Sequence, residues 1–143
     1  MAALIASLKT TFTGYFKYRG REGQLSFLLH RLTGLGTLLF LIIHIVDTAT
    51  VYYFPSLYNH AIEIYRSTPF MIGEIFLVFS VIFHGVNGLR ISILDLYYPA
   101  KWTIKIQRTA VRHTLLLSVL LWLVPAYIML RNMLVHNFGM FGG

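Results

Sequence analysis

Residues 70–98 read FMIGEIFLVFSVIFHGVNGLRISILDLYY, an apolar run whose only full charges are Glu74, Arg90 and Asp95. A helix needs about 20 residues to cross the hydrocarbon core of a bilayer, so this stretch is long enough to span. Pro69 precedes it and Pro99 follows it, and proline cannot continue a helix, so the segment is bounded on both sides. Two further runs share its character, residues 27–54 and residues 110–134. The last contains Pro125, which is expected to kink the helix and is tolerated in membranes. The pattern predicts an all-α membrane protein of three transmembrane helices, a single domain over residues 1–143. No internal repeat or low-complexity tract interrupts it.

Composition agrees. The chain has 143 residues, 57% hydrophobic and only 12% charged, whereas a water-soluble domain carries about 25% charged residues. That balance excludes a disordered tail, a collagenous segment and an ordinary soluble enzyme. Cysteine is absent, which removes a disulfide framework, a thiolate zinc site and cysteine-ligated iron–sulfur clusters. The net charge of +7 is gathered in two places: Lys9, Lys17, Arg19 and Arg21 before the first span, and Lys101, Lys105, Arg108 and Arg112 between the second and third. No nucleic-acid motif accompanies these residues, so they read as the cytoplasmic face of a membrane protein. The connection 55–69 carries only Glu63 and Arg66. The positive-inside rule therefore places the N-terminus inside and the C-terminus outside. Tyr52, Tyr53, Tyr97, Tyr98 and Trp102 fall at the expected interfaces. Leu4, Leu8, Phe12 and Phe16 recur every fourth residue, opposite Lys9 and Thr13, which predicts a short N-terminal interfacial helix.

Ionisable residues are costly inside a bilayer and each is a candidate site. The first span holds His30, Arg31, His44 and Asp47, the second Glu74, His84, Arg90 and Asp95, and the third His113 and Arg131. Glu74, Arg90 and Arg131 are close enough to helix ends to snorkel. His84 is near mid-span. At about 100° per residue, His84, Asn87, Gly88, Ile91 and Asp95 share one stripe, and His30, Gly34, Thr37, Leu41, His44 and Thr48 share another. Two such stripes on antiparallel neighbours predict an internal seam, with Gly85 and Gly88 permitting close approach.

An imidazole at that depth either hydrogen-bonds a neighbouring helix or ligates a b-type haem, which needs no covalent cysteine attachment. His44 and His84 do not suit one iron: they lie about 27 Å and about 16 Å from the cytoplasmic side, an offset near 10 Å. His84 is thus the one ligand expected from this chain, with the second supplied by a partner. Arg31 suits haem propionates or a quinone carbonyl. Asp95 either relays protons or pairs with Arg31, and His113 reads as interfacial.

The ordered elements His30-Arg31-Leu-Thr-Gly34 and His84-Gly-Val-Asn87-Gly88-Leu-Arg90, followed by Asp95, resemble the cytochrome b membrane-anchor subunit of succinate dehydrogenase, respiratory complex II. The likeness covers all three spans. The lead Tyr18-Arg19-Gly20-Arg21-Glu22-Gly23-Gln24 and the element His44-Ile-Val-Asp47 look like a branch found in some bacterial complexes. The resemblance implies a subunit that is not catalytic alone. With a second small anchor subunit it would hold a flavoprotein and an iron–sulfur protein, and electrons from succinate would reach a quinone, menaquinone or ubiquinone, at the interface. It implies His84 as the axial ligand of haem b, His30 and Arg31 in the haem-propionate region, and Ser26, Arg31 and Asp95 in the quinone region.

One position departs from the family. Its quinone-contacting serine is Phe27 here, with Ser26 one residue earlier, and one residue turns a helical side chain by about 100°. The expected setting is a bacterial plasma membrane, with the basic face meeting soluble partners, anionic lipid or both. The alternatives are a fumarate reductase anchor oxidising menaquinol and a haem-free structural anchor. A small transporter is disfavoured by the lack of an inverted repeat.

Overall fold

The computed structural model describes residues 5–7, 9–10, 13–14 and 22–140. Leu4, Leu8, Phe12 and Phe16, on which the expected interfacial helix rests, lie outside the described residues, as do Tyr18 to Arg21. The described part of the chain from Glu22 onward is built of α1 (Glu22–Tyr53), α2 (Pro55–Tyr65), α3 (Thr68–Tyr97), a 3-10 turn (Pro99–Lys101) and α4 (Ile104–Phe138). No strand occurs among the described residues. Helices α1, α3 and α4 are each long and apolar enough to cross a membrane, and the chain is a multi-pass membrane protein.

The helix ends follow local chemistry rather than hydropathy. Helix α4 starts at Ile104, well before the apolar run at 110, because Thr103 caps it: its hydroxyl oxygen accepts the Ile106 N–H at 3.4 Å. The basic stretch from Lys105 to Arg112 is therefore helical. The far end closes at Gly139, whose φ of 61° lets its N–H turn back to the carbonyls of Leu134 and Val135. Helix α1 is described from Glu22, a polar turn ahead of its apolar run. The connection 55–69 is mostly helical, with Pro55 in the first turn of α2, where a missing N–H costs nothing. Helix α4 runs through Pro125 without a break.

Helix α3 packs against both α1 and α4, each antiparallel to it, and α2 bridges α1 and α3 at the end remote from the basic residues. The interior is unlike that of a soluble bundle. Phe83, Val111 and Met133 are its buried apolar side chains, alongside Ser26, Thr33, Asn87, Thr114 and Ser118. Dozens of Leu, Ile, Val and Phe side chains point outward. In lipid this inversion is stable: apolar surface loses nothing by facing acyl chains, while small and polar groups let helices approach and hydrogen-bond. Trp122 donates from Nε1 to the Ile75 carbonyl at 2.9 Å and sets its ring edge-on to Phe79, fixing the α3–α4 register. Thr33, Thr37 and Ser118 return their hydroxyl protons to carbonyls of their own helices, so none is stranded in hydrocarbon.

Candidate functional site

The seam forms where α1 meets α3. Gly34 is the closest point: a Cβ there would lie 2.7 Å from His84 Cε1 and 3.1 Å from His84 Nδ1. Only glycine leaves room for the imidazole. The His84 ring lies flat on that of His30, with centroids 4.1 Å apart and planes 3° from parallel. Gly88 opens the reciprocal space, since a Cβ there would meet His30 Cε1 at an ordinary 3.7 Å. The glycines of the two stripes thus face the histidines of the opposite helix.

One hydrogen bond sets the chemistry of His84. Its Nδ1 is 3.0 Å from the carbonyl oxygen of His30. A carbonyl only accepts, so Nδ1 carries a proton here, the tautomer in which a neutral ring has its lone pair on Nε2. Histidines that bind metals commonly donate their second ring N–H in this way, which orients the ring and raises its basicity.

Around this pair lie polar groups with no partner. Ser26, fully buried, donates from Oγ to Asn87 Oδ1 at 3.0 Å. Asn87 is 1% exposed, yet its Nδ2 has no acceptor among the described residues. The same holds for His30 Nδ1 and for Nε and Nη1 of Arg90, all buried. The expectation that Arg90 snorkels is corrected: two of its guanidinium nitrogens are buried, on the helical face that also carries Phe83 and Asn87. Unpartnered polar atoms in an apolar surrounding are costly, at about 1–3 kcal/mol each.

The other expected residues lie elsewhere. Arg31 is exposed, with its guanidinium carbon 4.3 Å above the Phe27 ring. Asp95 is exposed and accepts from Trp102 Nε1 at 3.0 Å, and it makes no ion pair with Arg31. His113 is exposed on α4, away from the seam. His44 is exposed and stacks on Phe40 at 5.3 Å. The level at which His84 packs, beside Gly34, lies about 15 Å along α1 from His44, so the seam occupies only the half of the bundle near the basic end. At the other end, Asp47 accepts a hydrogen bond from the Tyr65 hydroxyl, a contact that pushes the phenol above its ordinary titration range. Asn137 donates from Nδ2 to the Arg66 carbonyl at 3.2 Å and to Thr68 Oγ1 at 3.0 Å.

The basic end is partly neutralised within the chain. Glu22 accepts from Arg108 Nε at 2.8 Å and from Arg112 Nε at 3.0 Å, with a second, shorter contact to Arg112 Nη2. These pairs tie the first turn of α1 to α4. Nothing in local pattern announces a contact across so much sequence, and the same is true of Ser26 with Asn87. The glycines at 34 and 88 were the visible signal, at helical spacing from the histidines.

Residues 10–127 match the family model described as succinate dehydrogenase/fumarate reductase transmembrane subunit. A curated relative, succinate dehydrogenase 2 membrane subunit SdhC of Mycobacterium tuberculosis (strain ATCC 25618 / H37Rv), is 34% identical over 80 residues. The alignment covers 56% of this chain and 59% of the relative, so the chain matches about three fifths of that protein's length.

Proposed function

The chain belongs to the succinate dehydrogenase/fumarate reductase transmembrane-subunit family, and from that premise we propose that it is the cytochrome b anchor of a bacterial succinate dehydrogenase. It resides in the plasma membrane and binds haem b jointly with a second small anchor subunit. It docks the flavoprotein and iron–sulfur subunits on its basic face and helps form the site where quinone is reduced. The observation that carries this reading is His84: Nδ1 is committed to the His30 carbonyl, Nε2 keeps its lone pair, and Gly34 leaves the ring its space.

The residues present fit haem b. His84 Nε2 would hold the iron from this chain, and the partner anchor would supply a second ligand. His30 and Arg31 serve the propionate region, and the stranded donors of Arg90 and Asn87 suit carboxylate oxygens. When bound, the group stores one electron between the iron–sulfur centres and quinone. The chain's own work is positional. The His30 carbonyl holds the imidazole tautomer, and Arg31, exposed at the basic end, offers charge to a quinone carbonyl. Asp95 supplies a carboxylate at the same end, oriented by Trp102. Ser26 joins the quinone region by exchanging Asn87 Oδ1 for a quinone oxygen.

The family also includes fumarate reductase anchors, and this chain would serve equally in an enzyme that oxidises menaquinol. Direction is set by quinone potential and by the soluble subunits. A haem-free structural anchor is the remaining alternative. A dithionite-reduced minus oxidised spectrum of membranes separates the haem-binding readings from the haem-free anchor. Wild type is expected to show a b-type α-band that His84→Ala abolishes, and an unchanged band in the variant removes His84 as ligand. Arg31→Leu is expected to impair quinone reduction while succinate oxidation by an artificial dye survives. Normal quinone kinetics would exclude Arg31 from the site.

A further inference from the structure

The chain holds five acidic side chains, and each has a place away from Arg90. Glu22 accepts from Arg108 and Arg112. Asp95 accepts from Trp102 Nε1 at 3.0 Å. Asp47 takes the Tyr65 hydroxyl at the other end of the bundle, and Glu63 lies 4.0 Å from His60 on α2. Glu74 stands about 24 Å along α3 from Arg90. Among the described residues Arg90 makes no ion pair with any of them. Its Nε and Nη1 are nevertheless buried, with no hydrogen-bond partner.

The groups around Arg90 are neutral. Trp122 of α4 meets Ile75 of the antiparallel α3, so equal steps toward the basic end bring Gln107 level with Arg90. Gln107 Nε2 is likewise buried without an acceptor. Asn87, one turn along α3, is 1% exposed and its Nδ2 is also unbonded. A guanidinium keeps its charge when enclosed. In an apolar surrounding that charge acts further than it does in water, because little screens it. His84 is on the same helix, about 9 Å of rise from Arg90. Arg31 differs: it is exposed over the Phe27 ring, where solvent screens it.

We propose that Arg90 raises the reduction potential of the haem held by His84, through a positive charge that no carboxylate of this chain cancels. The inference rests on the haem reading above and gives Arg90 a role within it. Adding one electron close to a fixed cation is favourable, so the cation stabilises the reduced form over the oxidised form. The electron comes from the iron–sulfur subunit of that reading, and Arg90 neither gains nor loses a proton. Pairing of Arg90 with a haem carboxylate leaves the sign unchanged, because the guanidinium then cancels a negative charge that opposes reduction.

The test is an equilibrium redox titration of membranes holding the whole complex, followed at the b-type α-band that His84→Ala removes. At fixed ambient potential, Arg90→Gln should shift the balance about ten-fold toward the oxidised form, which is about 59 mV for a one-electron couple. Arg90→Lys keeps the charge and should hold the midpoint of wild type. A wild-type midpoint in Arg90→Gln overturns the proposal. An equal fall in Arg90→Lys also overturns it, since the effect would then belong to side-chain shape. Where Arg90→Gln carries no haem, Gln107→Glu decides, because it sets a carboxylate level with Arg90 and leaves the guanidinium in place. A lowered midpoint there supports the proposal and an unaltered one overturns it. Absence of the band from wild type removes the haem reading itself, whereas a band indifferent to these substitutions removes this inference alone.

Discussion

His84 and His44 are both imidazoles placed inside membrane-spanning helices, and the structure treats them in opposite ways. His84 is packed against the bare backbone of Gly34, stacked on His30 and hydrogen-bonded to a carbonyl. His44 is exposed on the outer flank of α1, with Phe40 of its own helix as its stacking neighbour. The difference lies in the neighbour, not the residue. An imidazole held this way needs a second helix close enough to lend an acceptor, and among the described residues the half of the bundle where glycines face histidines provides one.

The comparison can be broken most directly by substituting both residues. His84→Ala should remove the b-type α-band entirely, whereas His44→Ala should leave its intensity unchanged. If His44→Ala also bleaches the band, the two halves of the bundle are not the distinct environments described above. Gly34 tests the same point one step away from His84. Gly34→Val puts a Cβ 2.7 Å from His84 Cε1, and the resulting displacement should cost about 1–3 kcal/mol and lower haem content per complex roughly ten-fold. Gly36→Ala is the control: its Cβ would meet only Ser80 Oγ at 3.9 Å, and haem content and stability should match wild type.

Smaller effects belong to the ends. Tyr65→Phe removes the donor that reaches Asp47 and should cost about 1.5–3 kcal/mol for a hydrogen bond to a charged group. The measurement is the thermal midpoint of the purified protein, which should fall while the α-band stays. Loss of the band would mean that the outer end reports to the seam. Glu22→Gln should have the least effect, a slight fall in the thermal midpoint, because Arg108 and Arg112 are 36% and 63% exposed and water screens such pairs. A large drop in midpoint would make the α1–α4 tie at the basic end a major element of the fold.

Much of the site was legible in the residues themselves. The stripe containing His30 and Gly34, and that containing His84, Asn87 and Gly88, could be laid out by helical phase, because a helix holds its side chains at a fixed angle. Phase alone draws the seam too long, extending it to His44 and Thr48, which are exposed, and to Asp95, which turns to Trp102 instead of Arg31. Phase gives direction but not distance to the next helix. Arg90 shows a related limit: nearness to a helix end suggests snorkelling, and only packing reveals that its Nε and Nη1 are enclosed.

The sequence by itself determined the three membrane spans and their approximate limits. Lipid offers no hydrogen bonds, so any long uncharged run must satisfy its backbone internally and become a helix. That constraint is local and can be read from composition along a window. It also excluded cysteine chemistry and sorted most of the positive charge to one face. What only the tertiary structure decided is which intramembrane polar groups can act together. The approach of His84 to Gly34, the tautomer imposed by the His30 carbonyl, and the capture of Arg108 and Arg112 by Glu22 all join residues far apart in the chain. Each depends on register between helices, and register is set by side-chain packing across the whole bundle.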